Sequence, residues 1–324
     1  MFWNCVVLGG HDTHTAMLLG AAMLLKPMES TLAAKGMVVR FAFQPSEEGG
    51  AGGKMMMDEG LLDGASAAFA LHTTSRDNVG VIASKPGYTS ASVEFFTITI
   101  NGKGGHAAMP FKTIDPVNAA AQVVLSLNTI VGRMVDNPNS PVVVGVSTVH
   151  GGDASNIIPE SVVITGTIRT LSSDMMTTMM QIVKDRAISM AAANGCNATV
   201  DFRDGEVHYN SRGEKWSTAV APPTINDPSL FQLGMHSAVE LFKNEDGTSA
   251  VEDLIFEDPA PSLGGEDFSF FGQKIPSAMF NIGHASDEKT ASNHHHPKFQ
   301  VDEDMLYKGA AFYATLALDY LASV

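Results

Sequence analysis

The chain has 324 residues, 44% hydrophobic and 17% charged, with a formal charge of −15; that is length enough for one large core or two ordinary ones and the wrong sign of charge for nucleic-acid binding. No apolar stretch is long enough to span a bilayer, and Met1-Phe2-Trp3-Asn4 lacks the basic start of a signal peptide, so a cytoplasmic location is the default expectation. Two cysteines, Cys5 and Cys196, give no disulfide framework, and the 18 methionines read as core filler and helix formers.

In chain order, an apolar strand is expected at 5–8, followed by Gly9-Gly10-His11-Asp12-Thr13-His14 and an amphipathic helix over 15–34. The run Met37-Val38-Val39-Arg40-Phe41-Ala42-Phe43 reads as a buried strand, and Gln44-Pro45-Ser46-Glu47-Glu48-Gly49-Gly50-Ala51-Gly52 follows it. The glycines turn the backbone there, which puts Glu47 and Glu48 at a strand end. A strand over 67–71 ends at His72, and another covers 79–84. From 89 to 204 the order becomes strand 92–100, helix 115–135, strands 142–149 and 162–169, helix 174–193 and strand 198–202. This β-α-β-β-α-β order predicts a ferredoxin-like sandwich able to fold as its own unit. A third part has helices over 229–242 and 302–322 and carries Gly264-Gly265-Glu266-Asp267-Phe268 and His294-His295-His296.

Adjacent side chains leaving a strand point in different directions, so Glu47 and Glu48 can take different tasks. One can bind a metal ion while the other handles the proton of a water on that ion. A lone Glu-Glu pair is more often a solvated loop, and a lone histidine is more often structural. Here His11, His14, His72 and the 294–296 run surround the pair, and ligands at successive strand ends are how an α/β sheet builds a metal site at one edge. The third part must then rejoin the first, and Glu266-Asp267 is expected near the same edge.

Taken with Gly104-Gly105-His106-Ala107-Ala108-Met109-Pro110, Ser155-Asn156-Ile157-Ile158-Pro159, Gly166-Thr167-Ile168-Arg169 and His295-His296-Pro297-Lys298-Phe299, these segments give the chain a specific likeness. It resembles the aminoacylase/carboxypeptidase-type metallopeptidases, in the amidohydrolase branch of hippurate hydrolases and indole-3-acetyl-amino-acid hydrolases. The resemblance implies an α/β fold with a mixed-sheet catalytic domain, residues 1–88 and 205–324, and an inserted ferredoxin-like α+β lid, residues 89–204, that makes a homodimer. It implies two divalent cations, Mn2+ or Zn2+, held by His11, Glu48, His72 and His295. Glu47 is then the proton carrier, and His106 reaches a neighbouring subunit's site to steady the oxyanion. Asn156 and Arg169 match positions that hold a substrate carboxylate. The implied reaction hydrolyses the amide bond of N-acyl amino acids, with no nucleic-acid or membrane partner.

Two departures from the family pattern matter. Family members carry His-x-Cys-Gly-His-Asp where this chain has Val7-Leu8-Gly9-Gly10-His11-Asp12, so Gly9 stands in place of the cysteine that bridges the metals. The chain also starts only a few residues ahead of this motif, as a truncated member would. At most one tightly bound ion is therefore expected. Two further readings stand beside the hydrolase: an impaired relative that dimerises or binds a ligand, and a peptidase acting on small peptides.

Overall fold

A computed structural model describes residues 10–202, 207–209, 215–217, 221–243, 255–256, 261–287, 290 and 292–324. Cys5, Gly9 and the strand expected at 5–8 lie outside the described residues. Gly10 adopts a left-handed φ of 78°, and α1 (His11–Leu25) begins directly after it. A 3₁₀ turn at Lys26–Met28 separates α1 from α2 (Glu29–Ala34). The single helix expected over 15–34 is thus two helices, with an earlier start. Pro27 has no N–H to continue the α-helical ladder, which accounts for the break.

Residues 37–46 belong to no strand, which corrects the buried strand expected at 37–43. Period-two alternation survives over 37–41, where Val39 and Phe41 pack against Ala21, Leu25 and Ala314 and Val38 is 76% exposed; it slips beyond, leaving Phe43 48% exposed. An apolar run becomes a strand only where a neighbouring backbone offers a ladder, and none does so among the described residues. Glu47 and Glu48 accordingly sit in the first turn of α3 (Glu47–Gly50), not at a strand end, with α4 (Gly52–Asp58) following.

β1 (Ala68–Asn78) is longer than expected and holds His72 in its interior. The expected strand over 79–84 shrinks to β2 (Ile82–Ala83). After β3 (Gly87–Ser90) come β4 (Ser92–Asn101), β5 (Gly105–His106), α5 (Pro116–Met134), β6 (Val142–His150), β7 (Ile157–Ile158), β8 (Ser161–Thr170), α6 (Ser173–Ala193) and β9 (Asn197–Phe202). The remaining elements are β10 (Val207–Tyr209), β11 (Lys215–Ser217), β12 (Thr224–Asn226), α7 (Pro228–Leu241), β13 (Ile255–Phe256), α8 (Ser269–Gly272), β14 (Ser277–Ala285) and α9 (Asp304–Ser323).

Two larger sheets carry the architecture. The first runs β1-β14-β2-β13, with β1 parallel to β14 and β14 antiparallel to β2. Pairing with β14 continues from Ala68–Ser277 to Thr74–Gly283, so the partner, and not hydropathy, draws polar Thr73 and Thr74 into β1. The second runs β6-β8-β4-β9, all antiparallel. With α5 and α6 packed against it, this is the expected ferredoxin-like sandwich. Its helices start where the sequence supplies caps: Asp115 accepts from Val117 and Asn118, and Ser172 from Met175.

Each sheet has its own core. Phe96, Ile98, Ile100, Val162, Ile164 and Ile168 alternate inward from β4 and β8 against Val123, Leu127 and Val183. Met17, Leu71, Phe280, Ile282 and Phe312 fill the other. Each such side chain contributes about 1.5–3 kcal/mol by leaving water. Close approach of α1 to α9 depends on glycine: a Cβ on Gly309 would overlap Met17 Sδ, and one on Gly20 would stand 2.7 Å from Ala310 Cβ. This contact fixes the helix that presents His11 and His14.

Candidate metal centre

Three residues apart on α1, His11 and His14 share one helix face, with ring centroids 5.4 Å apart. The His72 ring on β1 lies 4.4 Å from that of His14 and 6.2 Å from that of His11. His294 adds a fourth imidazole, 5.0 Å from His72. Carboxylates approach from α3. Glu47 Oε2 is 3.6 Å from His11 Nε2, and Glu48 Oε1 is 4.0 Å from His11 Nδ1. On its other side Glu48 Oε2 stands 3.6 Å from His295 Nδ1.

These separations are too long for good hydrogen bonds and close to the roughly 3.4 Å between two ligand atoms of one tetrahedral cation with bonds near 2.1 Å. Potential ligand atoms lie within 4.8 Å of one another in three groups: His11, His14 and His72; His11, Glu47 and Glu48; and Glu47, Glu266 and Asp267. Imidazole nitrogens and carboxylate oxygens gathered in this way fit a borderline or hard divalent cation.

Burial sets the charge states. Glu47 is pushed up to about 7, first by desolvation and then by Asp267 and Glu48. Desolvation, with Glu47 and Asp267 beside it, holds Glu266 well above the ordinary carboxylate range. Asp267 is raised by burial against the opposing hydrogen bonds from Gly53 and Gln44. The imidazoles move the other way: burial and neighbouring rings take His14 well below its usual value and His294 to about 4, and burial lowers His72. A cavity of about 670 Å³ opens beside the cluster, lined by His11, His72, Glu47 and Glu266 and by apolar Phe41 and Tyr313.

The structure brings together His11, Glu47, Glu48, His72 and His295, and it adds Glu266 and Asp267 where the sequence expected them. The other three expected site residues sit on the ferredoxin-like unit, and none lines that cavity. His106 is exposed on β5, its Nδ1 accepting from Ala108 N at 3.1 Å. Asn156 lies next to it, its carbonyl accepting from Ala107 N at 3.0 Å. Arg169 donates to the Leu263 carbonyl at 2.8 Å, which ties β8 to the loop leading into Glu266. Sequence reading gave no role to Thr73, which contacts three of the histidines. No motif marks it, since it is one of two adjacent threonines in a polar strand end.

Similarity to known proteins agrees with this arrangement. The chain is 40% identical over 314 residues to IAA-amino acid hydrolase ILR1-like 4 of Arabidopsis thaliana, covering 96% of this chain and 66% of the relative. It is 36% identical over 303 residues to the N-acetyl-L-cysteine deacetylase of Bacillus subtilis, covering 94% of this chain and 65% of that protein. The chain thus spans just under two thirds of the length of these relatives. Among solved structures, the Bacillus subtilis YXEP protein, described as a dinuclear metal-binding peptidase from the M20 family, superposes with a TM-score of 0.73 at 29% identity, covering 98% of this chain and 74% of that one. The family model of peptidase family M20/M25/M40 matches residues 9–319, and the chain belongs to that family.

Proposed function

We propose that the protein hydrolyses the amide bond of N-acyl amino acids, releasing a carboxylic acid and an amino acid. The observation that carries this reading is Glu47, a half-buried carboxylate raised to about 7, lying 3.6 Å from His11 at the edge of the imidazole cluster. A group poised near neutrality can take a proton from water and return it to the leaving amine. The names of the Arabidopsis and Bacillus relatives, which describe hydrolysis of amino-acid conjugates and deacetylation of N-acetylcysteine, point to the same chemistry.

In this reading His11, Glu48, His72 and His295 hold Mn2+ or Zn2+. A bound cation of this kind supplies a water of lowered pKa and polarises the amide carbonyl. Glu47 moves the proton, and the apolar side of the cavity shelters the acyl group. His106 steadies the oxyanion from the 89–204 lid of a second copy, in a homodimer built along β6, and Asn156 helps to hold the substrate carboxylate. Supporting that homodimer, β6 pairs only with β8 among the described residues, and Leu125 of α5 and Val149 of β6 itself are 68% and 51% exposed. Arg169 receives the substrate carboxylate with the guanidinium nitrogens left free by Leu263.

The test is release of amino acid from N-acetylcysteine, hippurate and indole-3-acetyl-alanine by protein loaded with Mn2+ or Zn2+. Metal-dependent turnover that Glu47→Gln removes is expected; no turnover on any of the three would reject the reading. Gly9 favours a second reading, an impaired relative that binds one ion and turns over slowly. Metal analysis separates the two, and Gly9→Cys is expected to raise the stoichiometry from one toward two.

A further inference from the structure

Four histidines crowd around the middle of β1, and Thr73 touches three of them. Its backbone N–H donates to His14 Nε2 at 3.1 Å. Its carbonyl lies 2.8 Å from His72 Nδ1. Its hydroxyl is 3.1 Å from His294 Nε2 and 3.3 Å from His14 Nε2. Thr73 itself is 1% exposed, and glycine at position 10 leaves room for its hydroxyl, since a Cβ there would stand 2.9 Å from Oγ1.

These contacts dictate where the ring protons sit. A backbone N–H only donates, so His14 Nε2 must supply the lone pair and its proton resides on Nδ1. A carbonyl only accepts, so His72 Nδ1 carries the proton and Nε2 keeps a free lone pair. With His14 Nε2 already filled by the N–H, the Thr73 hydroxyl is free to donate its proton to His294 Nε2. A neutral imidazole coordinates a metal only through its unprotonated nitrogen, and the partner of the other nitrogen selects which one that is.

We infer that Thr73 is a positioning residue that sorts the histidines: it hands His72 Nε2 to the cation and keeps His14 and His294 out of the ligand set. His14 is the informative case. Its nitrogen lies within 4.8 Å of those of His11 and His72, so proximity alone makes it a ligand, while hydrogen bonding excludes it. The inference rests on the reading of the cluster as a cation centre, but the proton positions belong to the metal-free protein as well.

The experiment is ¹⁵N NMR of the full chain labelled at histidine, metal-free and loaded with ¹¹³Cd2+. In the metal-free protein His14 is expected as the Nδ1–H tautomer with Nε2 accepting, and His72 as the Nδ1–H tautomer. With cadmium, His72 Nε2 should couple to the metal while His14 and His294 show no coupling. Coupling at His14, or an Nε2–H tautomer for it, overturns the inference. Thr73→Val removes only the hydroxyl, so it should shift His294 Nε2 while the backbone contacts leave the His72 coupling in place, with Thr73→Ser restoring the His294 shift. Unchanged His294 shifts in Thr73→Val overturn the hydroxyl's part. Should His72→Gln leave Cd2+ stoichiometry unaltered, the cation-centre reading fails, and the metal-free tautomers still decide whether Thr73 sorts the rings.

Discussion

Gly53 donates its backbone N–H to Asp267 Oδ2 at 2.8 Å, across 214 residues of sequence. Gln44 Nε2 holds the other oxygen of the same carboxylate. The turn carrying Glu47 and Glu48 is thereby bound to the acidic pair 266–267, and the charge of Asp267 helps to raise Glu47. A Cβ on Gly53 would stand 2.7 Å from the Asp267 carbonyl oxygen, so glycine permits the approach.

The glutamate pair is expected to divide its labour. Glu47→Gln should abolish turnover while metal content stays near that of the unaltered protein, because a proton carrier and not a ligand is lost. Glu48→Gln should lower metal content. Atomic absorption on both variants checks this, and equal metal loss in the two would contradict the assignment.

Stability of the metal-free protein should depend on Glu47 in a defined pH window. Folding raises its pKa from 4.5 to about 7, so the ionised form is the one that folding disfavours. That penalty is absent below about pH 4.5 and complete above about pH 7. Glu47→Gln is therefore expected to be neutral at pH 4.5 and to stabilise by about 1–2 kcal/mol at pH 8, once screening is allowed for. Urea midpoints in EDTA at the two pH values measure the difference; the same shift at both would reject it. His294 works with the opposite sign. Its lowered pKa gives stability that is full above 6.5 and lost as pH falls toward 4.

Phe280→Ala should cost about 3–5 kcal/mol. The side chain is fully buried on β14, 5.3 Å from the Phe312 ring and within the core shared by Met17 and Leu71. Chemical denaturation reads the loss. A change below about 1 kcal/mol would show that this core relaxes around the cavity.

Residues 89–204 expressed alone should fold, because β4, β6, β8 and β9 with α5 and α6 close a core that, among the described residues, takes no buried side chain from outside them. Sedimentation and circular dichroism test this, with self-association expected through the β6 face. An unfolded fragment would sink the domain boundary.

Local sequence determined the elements of the ferredoxin-like unit almost residue for residue. There β8 alternates along its whole length and β4 from Glu94 onward, and Asp115 and Ser172 cap helices whose partners are near in the chain. It also marked nearly every residue that meets at the candidate centre, because His, Glu and Asp in such numbers are uncommon in apolar surroundings. Tertiary structure decided the rest. Whether 37–43 forms a ladder depends on a neighbouring backbone that the run itself does not encode, and the length of β1 is set by β14, some 200 residues away in sequence. The roles of neighbouring histidines are of the same kind. His14 and His72 look alike in sequence, and only the N–H and C=O of Thr73 distinguish them, because a proton's place on an imidazole follows from the partner across the ring.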